Sequence, residues 1–288
     1  MSGNVSIAYR PDIQGLRAIA VLAVLAAHIS LPGFAGGFVG VDVFFVLSGY
    51  LITGLLLKEQ LQYGSIQLIR FWARRLKRLL PALAVMLVAT ALVAKWLLTD
   101  TEFINQSRSL PYAATWTSNL YFLFRSVDYF DELAAKDLFL HTWSLGVEEQ
   151  FYILWPLFLW LIFVLGQPKS AAKSSQLFFW LLIAILTSLS FSVYASFQFP
   201  KSAFYLMPSR IWQFALGGLV FLITNSALQE TKAHKNQTTR IMGSLFLISG
   251  MLLILISVVL LDKNTTYPGF WALMPSSGAG LALMSGAY

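Results

Sequence analysis

The chain has 288 residues, of which 57% are hydrophobic and only 11% are charged. In soluble domains about a quarter of the residues are charged. The composition therefore excludes an ordinary soluble protein and predicts an integral membrane protein. The net charge of +7 is attributed to basic cytoplasmic loops rather than to nucleic-acid binding, and the lack of cysteine excludes disulfides, thiolate catalysis and cysteine-based metal sites.

Long apolar stretches recur along the chain, and each is close to the roughly 20 residues that a helix needs to cross a bilayer. They predict an all-α, polytopic transmembrane helix bundle with about eight spanning helices, formed by a single membrane domain over residues 1–288. No cleavable signal peptide is found, so the first helix is expected to remain in the mature protein. The predicted spans are 16–32, 38–57, 80–98, 143–165, 178–198, 207–225, 241–261 and 270–287.

The segment 105–127 is aromatic and moderately apolar, and it is predicted either to span or to lie re-entrant or flat on the membrane. If it does not span and the N-terminus is cytoplasmic, most lysines and arginines fall on the cytoplasmic side. If it spans, this bias weakens. Because basic residues collect in cytoplasmic loops, we expect eight spans with the N-terminus inside.

The first predicted helix carries two ionisable residues, Arg17 and His28, which are eleven residues apart. Eleven residues is close to three helical turns, so both side chains are expected on one face, about 16 Å apart along the axis. His28 is expected deep in the helix near its outer side, where it is the candidate base. Both residues also have purely structural explanations. Arg17 is then an interfacial anchor, and His28 is a buried histidine bonded to a backbone carbonyl or a neighbouring helix.

Asp42 lies near the outer end of the second predicted helix, where its depth is expected to match that of His28. A carboxylate at this depth can orient the imidazole and stabilise its protonated form. We therefore predict that Asp42 acts in catalysis beside His28. The alternative is that Asp42 caps the helix end or binds an arginine.

Five cations lie at the cytoplasmic end of the third predicted helix, namely Arg70, Arg74, Arg75, Lys77 and Arg78. Arg75 and Arg78 are three residues apart and share a helix face. Guanidinium groups pair bidentately with phosphate, so the cluster suits the phosphates of a nucleotide-bearing donor. It equally suits anionic lipid headgroups. Pro81 is predicted in the first turn of this helix, where proline is tolerated.

Polar residues surround the start of the fourth predicted helix, on the outer side. His141 precedes the helix, and Glu148 and Glu149 lie within it, near its start. Two adjacent glutamates are costly for interfacial capping alone, so a role in the reaction is predicted. Glu149 is expected to project inward and act in catalysis, and His141 and Glu148 are expected to contact substrate. No metal-ligand motif, G-x-S-x-G elbow, P-loop or Rossmann glycine pattern is found.

Four segments carry a resemblance to a known family: YRPDIQGLRAIAVLAVLAAH, GGFVGVDVFFVLSGYLIT, FWARRLKRLLPAL and FLHTWSLGVEEQFYILWPL. With weaker similarity in MPSRIWQFALGGL, they cover most of the chain in order. The sequence resembles the acyltransferase-3 family of membrane acyltransferases, in particular the bacterial enzymes that O-acetylate lipopolysaccharide O-antigen or peptidoglycan. This resemblance implies a multi-pass protein of the bacterial inner membrane.

The resemblance also implies roles for motif residues. The family's arginine–ten residues–histidine motif falls on Arg17 and His28, and its RxxR motif falls on Arg75 and Arg78. Members take an acyl group, usually acetyl, from cytoplasmic acyl-CoA and deliver it to a glycan on the far side. The arginines are then the CoA contacts, the histidine is the base or the acyl carrier, and acyl-CoA is a donor substrate rather than a permanently bound cofactor. The acceptor sugar and the acyl chain length stay open.

Two other interpretations are compatible with the sequence. A transporter or flippase for a glycan or acyl donor would explain ionisable residues within the membrane, although the repeats and interrupted helices typical of transporters are not found. An inactive, truncated acyltransferase is the second alternative. The chain is expected to lack the last two of ten family helices and the SGNH hydrolase-like domain that often follows.

Overall fold

The computed structural model describes residues 10–125, 127–131, 134, 136–165, 170–231 and 237–286, and it describes side chains throughout these ranges except at 170–174 and 227–231. The described residues form twelve α-helices and two 3-10 turns, at Gly37–Val39 and Met207–Ser209, and contain no strand. The helices are α1 (Pro11–His28), α2 (Gly40–Tyr63), α3 (Leu68–Leu97), α4 (Asp100–Gln106), α5 (Leu110–Ala114), α6 (Ser118–Phe124), α7 (Thr142–Leu165), α8 (Ser170–Gln198), α9 (Pro200–Tyr205), α10 (Ile211–Thr231), α11 (Gln237–Leu260) and α12 (Leu273–Ser285).

A helix occurs at each of the eight predicted positions, which confirms the polytopic helical bundle. Five helical segments in the described ranges are long and apolar enough to cross a membrane by themselves: Gly37–Tyr63, Leu68–Leu97, Thr142–Leu165, Ser175–Gln198 and Gln237–Leu260. In α10 the apolar stretch is shorter and covers Ile211–Ser226. With 13 residues α12 is about 20 Å long, less than the roughly 30 Å of the bilayer core.

The helices alternate in direction between two ends of the bundle. We call the end where α3 begins, at residues 68–78, the basic end, and the opposite end, where α1 stops at His28, the histidine end. Arg10 ties the start of α1 to the basic end, because its guanidinium donates to the Tyr50 hydroxyl at 2.7 Å and to the Leu283 carbonyl at 3.1 Å.

The prediction for the third helix is wrong at its start. Helix α3 begins at Leu68 rather than at residue 80, and Pro81 lies in its interior rather than in its first turn. The residues before Pro81 are mainly arginine, lysine and leucine, which are strong helix formers, so the helix forms on both sides of the proline. The basic cluster is therefore part of the same helix as the span.

The aromatic segment between α3 and α7 does not form one spanning helix. It is broken into α4, α5 and α6, which have 7, 5 and 7 residues and are too short to cross a bilayer. Thr99 begins α4 with a capping box, in which its side chain and that of Glu102 each satisfy a backbone N–H of the other. Of the predicted alternatives, the spanning one is wrong.

Helix α2 forms the centre of the bundle and packs tightly against α10. Phe214 of α10 stacks between Phe45 of α2 and Phe151 of α7, with ring centroids 4.7 and 3.9 Å apart. The two backbones come into direct contact, since a Cβ on Gly49 would lie only 1.9 Å from the Phe214 carbonyl oxygen. Small residues allow such close helix packing inside a membrane.

We expect Gly49→Ala to destabilise the protein by about 1–3 kcal/mol, because its methyl group would force α2 and α10 apart. Thermal unfolding of the purified protein in detergent measures the effect. Gly15→Ala in α1 is the matched control, since a Cβ there meets nothing within 4 Å. An alanine at position 49 that unfolds at the wild-type temperature would contradict the close contact.

Candidate functional site

A cavity lined by arginines lies between α1, α2, α3 and α7. Its volume is about 300 Å³, and four guanidinium groups line it: Arg17 from α1 and Arg74, Arg75 and Arg78 from α3. The structure therefore brings together the three arginines predicted as donor contacts. No carboxylate lines this arginine cavity directly, although Glu59 and Glu148 bond residues of its wall, so the surface that faces the hollow carries guanidinium groups alone. Such a wall suits phosphate groups.

Contacts with α7 hold one arginine of the cavity in place. The Arg75 guanidinium carbon lies 3.6 Å from the centroid of the Tyr152 ring, which is a cation–π contact. The Tyr152 hydroxyl and the Ser48 hydroxyl both bond Oε1 of Glu148, and the two hydroxyls lie 2.9 Å apart. Glu148 is therefore connected to the arginine cavity through Ser48 and Tyr152.

The carboxylate of Glu148 is held by Ser48 and Tyr152, which line the arginine cavity. Glu148 follows His141 by seven positions, which corresponds to about 10 Å along the chain axis of a helix, so the two side chains lie at different depths. Its predicted contact with substrate stays a prediction.

Arg74 is positioned by a buried acid. Its guanidinium lies 3.2 Å from Oε1 of Glu59, whose side chain is only 1% exposed. The other oxygen of Glu59 accepts a bond from the backbone N–H of Gln67 at 3.3 Å. This pair clamps the end of α2 to the first turns of α3, and so fixes the arginine-bearing face relative to α2.

Glu149 projects into the bundle, as predicted, and its side chain is 7% exposed. Its carboxylate accepts no hydrogen bond within the described ranges, and the charges that act on it are those of Arg75 and Glu148. Burial without hydrogen bonds is costly for a carboxylate, and such groups occur often at functional sites. Its catalytic role stays a prediction.

His28 is the last residue of α1, and its side chain is exposed at the histidine end. The prediction that it lies deep within a span is wrong, because α1 stops at His28 rather than at residue 32. Its Nδ1 lies 2.8 Å from the Val24 carbonyl oxygen, which can only accept a hydrogen bond. Nδ1 therefore carries the proton in the neutral ring, and Nε2 presents a lone pair.

Arg17 and His28 lie on one face of α1, as predicted, with Val21 and Val24 between them at helical spacing. Val21 is 51% exposed, whereas Val24 is half-buried and lies against Gly40 of α2. Arg17 lines the arginine cavity at one end of this face, and His28 marks the other end. Eleven residues of helix separate them by about 16 Å.

His141 is close enough to His28 for their charges to interact. The pKa of His141 is lowered because the surrounding protein desolvates part of the imidazole and because a protonated His28 repels its charged form. The ring is therefore mostly neutral at pH 7 and can accept a hydrogen bond. Its predicted contact with substrate stays a prediction, and His28 lies within range of its charge.

Asp42 does not pair with His28, and this prediction is wrong. Its side chain is 1% exposed, and Oδ1 lies 3.0 Å from the Arg210 guanidinium and accepts a bond from Gln213. The Tyr267 hydroxyl donates to Oδ2. Ser276 of α12 completes this buried network through a 3.1 Å bond from Gln213. The alternative that Asp42 binds an arginine is the one observed.

The depths of the two residues explain the error. Gly40 lies against the Ala20 backbone, since a Cβ there would be 2.4 Å from the Ala20 carbonyl oxygen. Asp42 follows Gly40 by two residues, so it lies level with Ala20 or Arg17. Eight residues separate Ala20 from His28, which is about 12 Å along α1.

Arg74, Ser48 and Tyr152 line the arginine cavity but are not among the predicted site residues. Helical spacing offers a signal for Tyr152, which follows Glu148 by four residues and shares its face. Arg210, which holds Asp42, has no such signal, because the two residues are 168 positions apart.

The model of a family described as an acyltransferase domain matches residues 10–287. The chain is 45% identical over 168 residues to the peptidoglycan O-acetyltransferase OatA of Listeria monocytogenes, which covers 57% of this chain and 26% of that protein. It is 39% identical over 166 residues to the O-acetyltransferase OatA of Staphylococcus aureus, covering 58% and 27%. The matched part is about a quarter of the length of these relatives. No solved structure matches the chain.

Proposed function

The chain belongs to the acyltransferase-3 family, and we propose on that basis that it transfers an acyl group, usually acetyl, from acyl-CoA to a hydroxyl of a cell-surface glycan. The single observation that carries this proposal is the arginine cavity, in which four guanidinium groups from two helices face one hollow of about 300 Å³. Phosphate is the ligand chemistry that such a wall recognises.

Acyl-CoA fits the geometry of α1. Its phosphates bind in the arginine cavity, and its extended pantetheine arm follows the face of α1 from Arg17 past Val21 towards His28. The arm is on the order of the 16 Å that separates these residues along the helix. The thioester thus reaches the histidine end while the nucleotide stays at the basic end.

His28 then acts as the base. Its Nε2 lone pair takes the proton of the glycan hydroxyl, and the sugar oxygen attacks the thioester carbonyl. The C–S bond breaks, the acyl group stays on the sugar as an ester, and the CoA sulfur leaves as the thiol after taking the proton from His28. In the alternative order of steps, Nε2 first takes the acyl group from CoA and then passes it to the sugar hydroxyl. His141 is proposed to contact the substrate, and the buried Glu149 is proposed to act in catalysis from beside Arg75 of the arginine cavity.

The basic end is proposed to face the cytoplasm, because the arginine and lysine cluster of α3 lies there and basic residues favour that side. The histidine end then faces the outside of the bacterial inner membrane, where the glycan is found. Peptidoglycan is the favoured acceptor, since the Listeria relative is a peptidoglycan O-acetyltransferase. Lipopolysaccharide O-antigen is the alternative acceptor.

Proteoliposomes that contain the full chain test the proposal. They are incubated with radiolabelled acetyl-CoA and either a peptidoglycan fragment or an O-antigen oligosaccharide. We expect alkali-labile label on one of these glycans. Glycan that crosses the membrane without label would favour a transporter, and the absence of both acetyl-CoA binding and transfer would contradict the proposal.

We expect the double variant Arg75→Ala/Arg78→Ala to weaken acetyl-CoA binding by about tenfold or more, because two charge-assisted contacts are lost. Equilibrium binding of labelled acetyl-CoA measures it. The matched control is Arg70→Ala/Lys77→Ala, which removes the same charge from exposed positions of α3 outside the cavity. If both double variants lose affinity equally, the cluster acts through its overall charge, as in binding anionic lipid.

A further inference from the structure

A polar cleft opens at the histidine end, away from the arginine cavity. It has a volume of about 290 Å³ and lies between the loop after α6, the junction of α8 and α9, and the loop before α12. A second hollow of about 600 Å³ shares Val127, Asp128 and Lys201 with it. We call the two together the loop cleft. Ligand pockets span about 300–1,000 Å³, so the loop cleft can hold several linked units.

Tyr205 lines this cleft, and its hydroxyl is buried in the protein beside it. Its side chain is 0% exposed, and its hydroxyl has no hydrogen-bond partner within the described ranges. Burial raises the pKa of this hydroxyl, and Tyr129, Asp128 and Asp137 raise it further, so these groups lie near it at the cleft. A buried hydroxyl without a partner is unfavourable, and a ligand that bonds it would remove that penalty.

Aromatic rings form one wall of the loop cleft. Tyr129 stacks on Phe204 with ring centroids 4.7 Å apart, and Phe130 packs edge-on against Phe204 at 5.7 Å. Tyr267 lines the same hollow. Rings of this kind offer rigid, largely apolar faces beside polar groups, which suits ligands with both apolar and polar faces.

The charges of the loop cleft are nearly balanced. Four acidic and four basic side chains line the larger hollow. A phosphate-rich ligand would require an excess of positive charge, and an acyl chain would require an apolar lining. Alternating donors and acceptors instead match a chain of hydroxyl and amide groups, each of which both donates and accepts hydrogen bonds.

The cleft lies next to the last turns of α1. Phe38 packs edge-on against Phe130 and Tyr267, with ring centroids 5.1 and 4.9 Å apart. The preceding Gly37 lies against α1, since a Cβ there would be 2.0 Å from the Ala23 carbonyl oxygen. One aromatic layer therefore separates the loop cleft from the helix that ends at His28.

We propose that the loop cleft binds the acceptor glycan, with the Tyr205 hydroxyl and the Asp128 carboxylate bonding sugar hydroxyl or amide groups and the aromatic wall covering the sugar rings. This inference rests on the proposed acyl transfer and deepens it by assigning the acceptor subsite. Asp128 accepts the Phe130 backbone N–H at 3.0 Å through Oδ1, and its side chain is exposed at the cleft.

Binding of a tetrasaccharide to the full chain in nanodiscs, without acetyl-CoA, tests the assignment. The probes are chitotetraose and a peptidoglycan tetrasaccharide of alternating N-acetylglucosamine and N-acetylmuramic acid. We expect the wild type to bind at least one probe, and Tyr205→Phe and Asp128→Asn each to raise its Kd about three- to tenfold. Tyr194→Phe is the matched control, because Tyr194 is 59% exposed on α8 and does not line the cleft.

Wild-type protein that binds neither probe, or a Kd unchanged in both cleft variants, would overturn the assignment. Unfolding temperatures show whether Tyr205→Phe is folded, and the exposed Asp128→Asn gives the same test without altering the interior. Acetyl-CoA binding is measured in parallel. Wild-type protein that binds glycan but not acetyl-CoA contradicts the proposed function alone. Wild-type protein that binds acetyl-CoA but not glycan contradicts the assignment of the loop cleft alone.

Discussion

Replacing His28 by glutamine is expected to lower the rate of acyl transfer by about 10²–10⁴, while acetyl-CoA continues to bind. Glutamine keeps a polar side chain of similar reach but cannot accept and return a proton near neutral pH. The hydrogen bond from Nδ1 to the Val24 carbonyl leaves Nε2 as the group that would accept the proton. The loss should therefore fall on kcat and leave the affinity for the donor unchanged.

Initial rates of label transfer and acetyl-CoA Kd values, measured on the same proteoliposomes, check this expectation. Ile29→Gln is the matched control, because it places the same side chain one residue later, at a position that is 65% exposed and off the face shared with Arg17. Transfer that persists in the His28 variant would refute the role of this histidine. Incubation with labelled acetyl-CoA and no glycan shows whether His28 is a base or an acyl carrier. Only an acyl carrier retains label on the protein.

Arg210→Met is expected to destabilise the protein by about 3–5 kcal/mol, because it leaves the Asp42 carboxylate buried without its counter-charge. Both side chains of this pair are almost fully buried, at 1% and 2% exposure. The guanidinium also lies 5.4 Å from the Phe204 ring centroid and 5.6 Å from that of Tyr267, so its loss weakens the packing around the pair.

The double variant Asp42→Asn/Arg210→Met should recover much of the lost stability, because no unpaired charge remains. Thermal unfolding of the single and double variants in one detergent gives the coupling between the two residues. Asp100→Asn serves as the control, since Asp100 pairs with Lys95 at an exposed position and its loss should leave the unfolding temperature unchanged. Strictly additive losses in the double variant would contradict a direct interaction.

The helix positions could be predicted from sequence because each depends on a local run of apolar residues. The shared face of Arg17 and His28, and that of Arg75 and Arg78, follow from helical spacing alone. The sequence relates Arg17 to the arginines of α3 only through the acyl-CoA that all of them are predicted to bind. Its remaining wall, including Tyr152, depends on how α7 packs, and no periodicity within a helix encodes that.

The wrong predictions have separate physical causes. Counting from helix ends places Asp42 level with His28, but α1 stops at His28, and Gly37 and Gly40 let α2 pack against α1 well below that end. Arg210 lies outside the predicted basic cluster, and nothing in its neighbourhood points to Asp42. Pro81 predicts a helix start because proline is common in a first turn, yet strong helix formers precede it and continue the helix.

The buried pair of Asp42 and Arg210 also bears on how the protein is made. Arg210 is synthesised 168 residues after Asp42, which at about 5–20 residues per second is a delay on the order of 10–30 s. Through that interval the Asp42 carboxylate of α2 has no Arg210 guanidinium to neutralise it. Tyr267, which donates to the same carboxylate, is synthesised later still. Helix α2 therefore reaches its final environment only after α10 and the residues that follow it have been synthesised, so the assembly of the bundle waits for its later helices.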